Sequence, residues 1–135
     1  MGTLIYGDCR CGFKCNVSAG AGMLDFGTRD NFPHLCLSCR AAVSVDVRAS
    51  IAACPNCGSA KVLPYGTPAN EEARDERRRQ QRAAVIQGDL GAYPESPIAS
   101  CNVSGELFEI FSSKTYECPR CRAPTFSFQD VGSFD

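Results

Sequence analysis

The 135-residue sequence has no tryptophan, only two methionines and a single histidine, His34. A Ser/His/acid catalytic set cannot be assembled around this one histidine, which lies two residues before a cysteine. The carboxylates show no spacing typical of a general acid and base pair. We therefore expect no enzymatic activity and no small-molecule substrate, and we expect His34 to have no part in a site.

Long apolar runs are also missing. No stretch approaches the roughly 18 consecutive apolar residues that a membrane-spanning helix needs. Residues 1–10 lack the basic flank and apolar run of a secretory signal. These absences predict a cytoplasmic protein that does not contact a membrane.

An excess of one charge is missing as well, because 14 Lys and Arg residues face 15 Asp and Glu residues, for a formal charge of −1. This balance predicts no general attraction to nucleic acid. Hydrophobic residues make up 44% of the chain, but ten of them are cysteines, and the chain also contains 12 glycines and 8 prolines. The apolar core must be thin, so covalent or metal cross-links are expected to hold the fold together.

Cysteine is the residue type that the chain has in excess. Eight of the ten cysteines form close pairs, three with the spacing C-x-x-C and one with the tighter spacing C-x-C. The pairs are Cys9/Cys11, Cys36/Cys39, Cys54/Cys57 and Cys118/Cys121. In such a turn, or knuckle, both sulfurs point to one side, so two knuckles complete a tetrahedral shell of four sulfurs around zinc. Four knuckles predict two zinc ions per chain, which a reducing cytosol favours over disulfides.

The two central knuckles give the most specific signal. Between Cys39 and Cys54 lie 14 residues, in which Val43, Val45 and Val47 alternate with polar residues as in a half-buried strand. The pattern predicts a zinc ribbon in the order knuckle, strand, turn, strand, knuckle.

The second site has two possible pairings. In a nested scheme Cys9/Cys11 joins Cys118/Cys121 around the central ribbon. In a sequential scheme Cys9/Cys11 joins Cys36/Cys39, and Cys54/Cys57 joins Cys118/Cys121. We favour the nested scheme, because the central spacing already suits a self-contained ribbon and because residues 4–6 and 125–128 can form a terminal strand pair beside the outer knuckles.

Two cysteines fall outside these pairs. Cys15 follows Cys11 by four residues and could replace Cys9 as a ligand, whereas Cys101 stands alone. We expect both to be ordinary thiols.

The order of the motifs resembles a group of small bacterial zinc-ribbon proteins of unassigned function. The resemblance covers about residues 6–65 and 116–135. The matching motifs are Cys9-x-Cys11-Gly12-Phe13, Gly20-x-Gly22-Met23, Cys36-x-x-Cys39, Cys54-Pro55-x-Cys57-Gly58-Ser59 and Cys118-Pro119-x-Cys121. The four cysteine pairs recur in that group, which implies eight ligands and two metal ions.

The region outside the resemblance contains one predicted helix. It is expected to start at Thr67-Pro68, to carry Glu and Asp near its beginning and Arg later, and to end at Gly88. Apolar residues are sparse along it, so most of the helix should be exposed. A loop over residues 89–100 and a strand over residues 106–111 should follow.

The predicted fold is therefore mainly β, small and metal-stapled, with nested zinc ribbons and one exposed helical insertion. The zinc-ribbon core should comprise residues 1–65 and 101–135, with an inner ribbon at 33–63 and outer knuckles at 9–12 and 118–122. The helical insertion and its loop should cover residues 66–100.

Three classes of function are compatible with this architecture. The first is a structural zinc module that binds another protein as an adaptor. The second is a nucleic-acid-binding ribbon that uses Arg77, Arg78, Arg79 and Arg82. Charge disfavours it, since each four-thiolate zinc site has a net charge of about −2 and would take the chain to about −5. The third is a redox protein, with rubredoxin-like iron or a reactive thiol pair, which would need an aromatic core or a βαβ context that the sequence lacks around the central knuckles.

Overall fold

A computed structural model describes residues 2–22 and 27–134 of the chain. The described part is mainly β, with ten strands, one α-helix and one short 3-10 helix. The strands are β1 (Gly2–Cys9), β2 (Lys14–Gly20), β3 (Asn31–Cys36), β4 (Ala41–Asp46), β5 (Val62–Pro64), β6 (Thr67–Ala69), β7 (Ala99–Val103), β8 (Glu106–Ile110), β9 (Thr115–Tyr116) and β10 (Phe126–Phe134). The helices are α1 (Glu71–Gln87) and the 3-10 turn Leu90–Ala92. Met23 of the predicted Gly20-x-Gly22-Met23 motif lies outside the described residues.

The main sheet has the strand order β4-β3-β2-β1-β10-β9. A further strand, β5, lies outside this linear order and pairs with β3. The predicted terminal strand pair is confirmed, because β1 and β10 run antiparallel. Both strands are longer than predicted, and their register places Cys9 opposite Phe126 and Leu4 opposite Gly132. This register brings the start of β10 next to the first cysteine of the chain.

The central ribbon differs from the prediction in its strand order. Val43 and Val45 are buried as the alternation predicts, but β4 ends at Asp46, before Val47. In the described chain no second strand lies between β4 and Cys54. Instead β4 pairs with β3, which precedes the first knuckle, and Cys36 lies opposite Ala41. The knuckle itself reverses the chain, so the strand before it is the nearest partner for the strand after it.

A second sheet, of three strands in the order β6-β8-β7, carries the helix. Its strand β8 confirms the predicted strand over 106–111, shortened by one residue. Since β6 pairs with β8 and β8 pairs with β7, residues from both sides of position 100 form one sheet.

The start of α1 was predicted too early. Thr67 and Pro68 belong to β6, where Pro68 lies opposite Phe108. The helix begins at Glu71 because the side chain of Asn70 caps it, accepting a hydrogen bond of 2.7 Å from the Ala73 N–H. It ends as predicted at Gly88, whose φ of 69° is left-handed. Ala84 is the only fully buried residue of the helix, so the prediction that most of the helix is exposed is confirmed.

One ion pair fastens α1 to the second sheet. Arg77 donates two hydrogen bonds to the Glu109 carboxylate, at 3.1 Å and 2.7 Å. Glu109 is 5% exposed and lies on β8. A bidentate pair of this kind fixes orientation as well as distance.

Within residues 2–22 and 27–134 no helix is long and apolar enough to cross a membrane.

The core consists of two clusters of buried residues. The larger contains Ile5, Phe32, Phe126 and Phe128, together with Cys9 and Cys118. The smaller consists of Cys36, Val43, Val45 and Cys54. Cysteines therefore make up a substantial part of a thin core, as the composition predicts.

Tyr65 links β5 to the β10-β9 end of the main sheet. It follows β5, and its ring lies 5.1 Å from that of Phe128 and 6.2 Å from that of Tyr116, measured between centroids. Its hydroxyl donates a hydrogen bond of 2.9 Å to the Glu117 carbonyl. The residue that follows β5 therefore contacts both β10 and the segment after β9.

Candidate metal centres

The eight paired cysteines assemble into two groups of four. We call Cys9, Cys11, Cys118 and Cys121 the outer group, and Cys36, Cys39, Cys54 and Cys57 the inner group. In each group all four Sγ atoms lie within 4.8 Å of one another. The first cysteine of every knuckle is buried and the second is exposed. Each group therefore lies at the surface with its inner half anchored in the core.

The sulfur distances fit a metal ion. Across the outer group, Cys9 Sγ is 3.7 Å from Cys121 Sγ and Cys11 Sγ is 3.6 Å from Cys118 Sγ. The inner group repeats these values, at 3.6 Å for Cys36/Cys57 and 3.7 Å for Cys39/Cys54. A tetrahedron with metal–sulfur bonds of about 2.3 Å has edges of about 3.8 Å, whereas a disulfide bond is about 2.05 Å. Both groups have the donor set and the spacing of a closed four-sulfur metal site.

The grouping is the nested one. The outer group forms because β1 ends at Cys9, directly opposite the first residue of β10, which follows the Cys118/Cys121 knuckle. The inner group forms because β3 ends at Cys36, opposite Val62 at the start of β5, just after the Cys54/Cys57 knuckle. Strand register thus sets each pair of knuckles face to face.

The knuckles share one backbone feature. The residue after the second cysteine has a positive φ in all four, which is 97° at Gly12, 74° at Gly58, 51° at Arg40 and 63° at Arg122. Three of these residues donate their N–H to the carbonyl of the first cysteine, at 2.8 to 3.0 Å, namely Gly12 to Cys9, Gly58 to Cys54 and Arg122 to Cys118. The left-handed residue closes the turn that points both sulfurs to one side.

Polar groups outside the cysteines contact the sulfurs. The Thr125 hydroxyl lies 3.1 Å from Cys9 Sγ, and the Asn56 N–H donates to Cys54 Sγ at 3.4 Å. Hydrogen bonds from the backbone of Cys11 and from Thr125 lower the pKa of Cys9 to about 6. Burial, by contrast, raises the pKa of Cys118 to about 12. One sulfur of the outer group is thus readily ionised, and binding of a cation would release the remaining protons.

The inner group shows the same division. The pKa of Cys36 is lowered to about 7, because hydrogen bonds from the backbone of Cys39 and Ser38 outweigh the effect of burial. The contact with Cys36 raises the pKa of Cys39 to about 12. A metal ion binds the thiolate form of cysteine, so thiol protons must leave before each group can bind it. The metal affinity of each group must therefore rise with pH.

Two arginines beside the knuckles have defined contacts. Arg40, after the first inner knuckle, donates to the Pro119 carbonyl at 3.0 Å and to Glu117 at 3.0 Å. Arg120 places its guanidinium 5.4 Å above the ring of Phe13, which links the two outer knuckles. Both arginines therefore join one knuckle to another.

The remaining cysteines and the histidine lie outside both groups. Burial raises the pKa of Cys15 to about 11 and that of Cys101 to about 12. His34 is buried, with Nδ1 2.8 Å from the Phe32 carbonyl, and burial lowers its pKa. Sequence reasoning placed all three outside the sites, but it missed Thr125 and the bridging contact of Arg40. Of these two, only Arg40 could have been noticed in the sequence. It directly follows the second cysteine of its knuckle, a position at which two other knuckles have glycine.

Comparison with protein-family models, with curated proteins and with solved structures gave no match for this chain. The resemblance to small zinc-ribbon proteins therefore depends on the cysteine motifs, and the structure supports its coarser content, two four-cysteine groups of zinc-ribbon type.

Proposed function

We propose that the protein is a non-enzymatic zinc module that binds two zinc ions and uses its surface to hold another protein. The observation that carries the metal part is the pair of four-sulfur groups, in each of which the Sγ atoms lie within 4.8 Å of one another. Zinc suits such a shell because it is borderline soft and has no redox cycle. Four protein ligands leave no open coordination position, which is the arrangement of structural rather than catalytic zinc. Free thiolates require reducing conditions, so we place the protein in the cytoplasm.

Metal analysis tests this assignment directly. We expect purified protein to contain two zinc ions per chain, and X-ray absorption at the zinc edge to show four sulfur neighbours at about 2.3 Å. Nitrogen ligands, or one zinc per chain, would contradict the eight-cysteine assignment. A red protein with iron would instead favour the rubredoxin-like alternative, for which the aromatic rings near Cys9 and Cys118 supply a setting.

The partner surface lies at the end of α1. Val85, Ile86, Leu90 and Tyr93 are 63%, 83%, 78% and 43% exposed, so four large apolar side chains face solvent within nine residues. A groove of about 390 Å³ runs along this surface, lined by Arg78, Gln81, Arg82, Val85, Ile86 and Tyr93. We call this set together with Leu90 the α1 surface. Clustered exposed apolar side chains of this kind mark interaction sites.

The charges favour a protein segment with apolar and acidic side chains. Arg77, Arg78 and Arg79 are held by Glu109, Asp75 and Glu76, whereas Arg82 has no ion-pair partner among the described residues. One free guanidinium beside an apolar groove suits a carboxylate flanked by apolar side chains. A nucleic acid would need several unpaired cations, and two zinc–thiolate sites would repel phosphates.

Synthetic amphipathic peptides test the α1 surface. We expect helical peptides with Leu and Ile on one face and Glu beside it to bind the zinc-loaded protein in a fluorescence anisotropy titration. The pair Val85→Asp and Ile86→Asp should weaken binding roughly tenfold or more, and Arg82→Glu should shift the preference to peptides with Lys in place of Glu. Val131→Asp is the matched control, because Val131 is 57% exposed but lies on β10.

Three outcomes would overturn the proposal that the α1 surface binds an apolar and acidic segment of another protein. Equal binding of Glu and Lys peptides would remove the charge argument. A concentration-dependent dimer in sedimentation that Ile86→Asp abolishes would make a second copy of the chain the occupant. Submicromolar binding to mixed-sequence DNA or RNA at about 150 mM salt, lost when Arg77, Arg78, Arg79 and Arg82 become Ala, would favour the nucleic-acid alternative.

A further inference from the structure

Arg40 connects the two metal centres. It follows Cys39 of the inner group, and its guanidinium contacts the outer knuckle across 79 residues of sequence, through Nε to the Pro119 carbonyl at 3.0 Å. A second nitrogen of the same guanidinium reaches Glu117 Oε2, also at 3.0 Å. Both acceptors flank Cys118, the buried ligand of the outer group. Among residues 2–22 and 27–134, no other side chain has a described hydrogen bond that joins an inner knuckle to an outer one.

Arg40 has a backbone conformation that favours glycine over arginine. Its φ is 51°, in the region that L side chains rarely adopt, and the equivalent positions Gly12 and Gly58 are glycines. A glycine would adopt this conformation without strain. An arginine at this position therefore strains the backbone. What it gives in return is the contacts of its side chain with Pro119 and Glu117.

Residues 117–119 are held from the inner side at three points. Besides the two hydrogen bonds from Arg40, the Tyr65 hydroxyl donates to the Glu117 carbonyl at 2.9 Å. Pro119 is fully buried, as is Cys118. The segment that presents a ligand to the outer group is thus fixed by side chains of the ribbon, one of which is joined directly to an inner ligand.

We propose that Arg40 is a positioning residue that couples the two metal sites. When the inner group binds zinc, the Cys36/Cys39 knuckle is fixed, and the left-handed Arg40 aims its guanidinium at residues 117–119. This places Cys118 for the outer group and raises its zinc affinity. By linkage, zinc in the outer group raises the affinity of the inner group by the same factor. The inference rests on the proposed zinc sites.

A mutant cycle on the full chain measures the coupling. The inner-group affinity for zinc is determined by chelator competition, with bound zinc counted by native mass spectrometry, in the wild-type chain and in Cys11→Ser/Cys121→Ser. We expect loss of the outer group to weaken inner binding by about 5- to 150-fold, the usual range of such couplings. In the Arg40→Gly background the same loss should leave inner binding almost unchanged.

Arg122→Gly is the matched control, since Arg122 occupies the same knuckle position with a φ of 63° and has no described contact with the inner group. It should leave the coupling intact. Equal coupling with and without Arg40, or no coupling in the wild-type chain, would overturn the proposal. Loss of coupling in Arg122→Gly as well would assign the effect to backbone strain and overturn it too. A chain that binds no zinc would instead refute the proposed function.

A second measurement keeps every metal ligand. In the zinc-loaded protein, Arg40→Gly and Glu117→Gln should both raise hydrogen exchange at the backbone amides of Glu117 and Cys118 and speed the release of one zinc ion to a chelator. Arg122→Gly should do neither. Unchanged exchange in Arg40→Gly would show that the guanidinium does not hold the segment, which would also overturn the proposal.

Discussion

Chelation of both metal ions is expected to unfold the protein. Structural zinc contributes on the order of 10 kcal/mol per site, which is comparable to the whole stability of a domain, about 5–15 kcal/mol. The core has little to replace it, because Cys36 and Cys54 are half of the smaller buried cluster. Near-ultraviolet circular dichroism, which reports the packed Tyr65 and Tyr116 rings, should collapse when a strong chelator is added and return when zinc is restored.

The control for chelation separates global from local unfolding. The amides of β7 and β8, which belong to the second sheet and carry none of the eight paired cysteines, should lose protection from hydrogen exchange together with those of β3 and β4. A chelated protein that kept its near-ultraviolet signal and its amide protection would show that the apolar core suffices and that the metals are not structural. Addition of chelator already saturated with zinc should change nothing.

The sequence predicts those parts of the fold whose signals are local. The helix end at Gly88 and the burial of Val43 and Val45 each follow from residues within a few positions of one another. The partner of β4 does not, because alternation shows that a strand is half-buried but does not say which strand lies beside it. The start of α1 was misread because Pro68 suits a first helical turn and an edge strand equally well, and its pairing with Phe108 is remote in sequence.

The same distinction applies to the candidate sites. Every knuckle is visible locally, because C-x-x-C spacing itself brings two sulfurs together. The choice between nested and sequential pairing depends on the register of β1 against β10, where Cys9 lies opposite Phe126. Contacts such as Thr125 to Cys9 and Arg40 to Pro119 join residues 116 and 79 positions apart. No local pattern encodes such contacts, so they are found only when the strands are in place.

Substitution of the two exposed cysteines of one group is expected to remove one metal ion and leave the other. In Cys11→Ser/Cys121→Ser the zinc content should fall from two to one, and the same fall is expected in Cys39→Ser/Cys57→Ser. The exposed members are the sharper choice, because the buried cysteines also pack in the core and their replacement would confuse ligand loss with packing loss. Cys15→Ser, which changes a half-buried cysteine outside both groups, should keep two zinc ions.

The two double variants should differ in what they destabilise. The outer group joins the terminal strands, and its Cys9 and Cys118 belong to the larger cluster with Phe126 and Phe128. Loss of its metal should therefore reduce near-ultraviolet dichroism strongly and expose β1 to hydrogen exchange. The inner cluster of Val43 and Val45 is separate, so β3 and β4 should stay protected in that variant. Coupling through Arg40 weakens the remaining site but leaves it filled at stoichiometric zinc, because four-cysteine sites bind far more tightly than the coupling factor reduces. Loss of both zinc ions from Cys11→Ser/Cys121→Ser would show that the inner ribbon cannot hold its metal without the outer group. It would contradict the expectation that the inner cluster stays folded when the outer group has lost its metal.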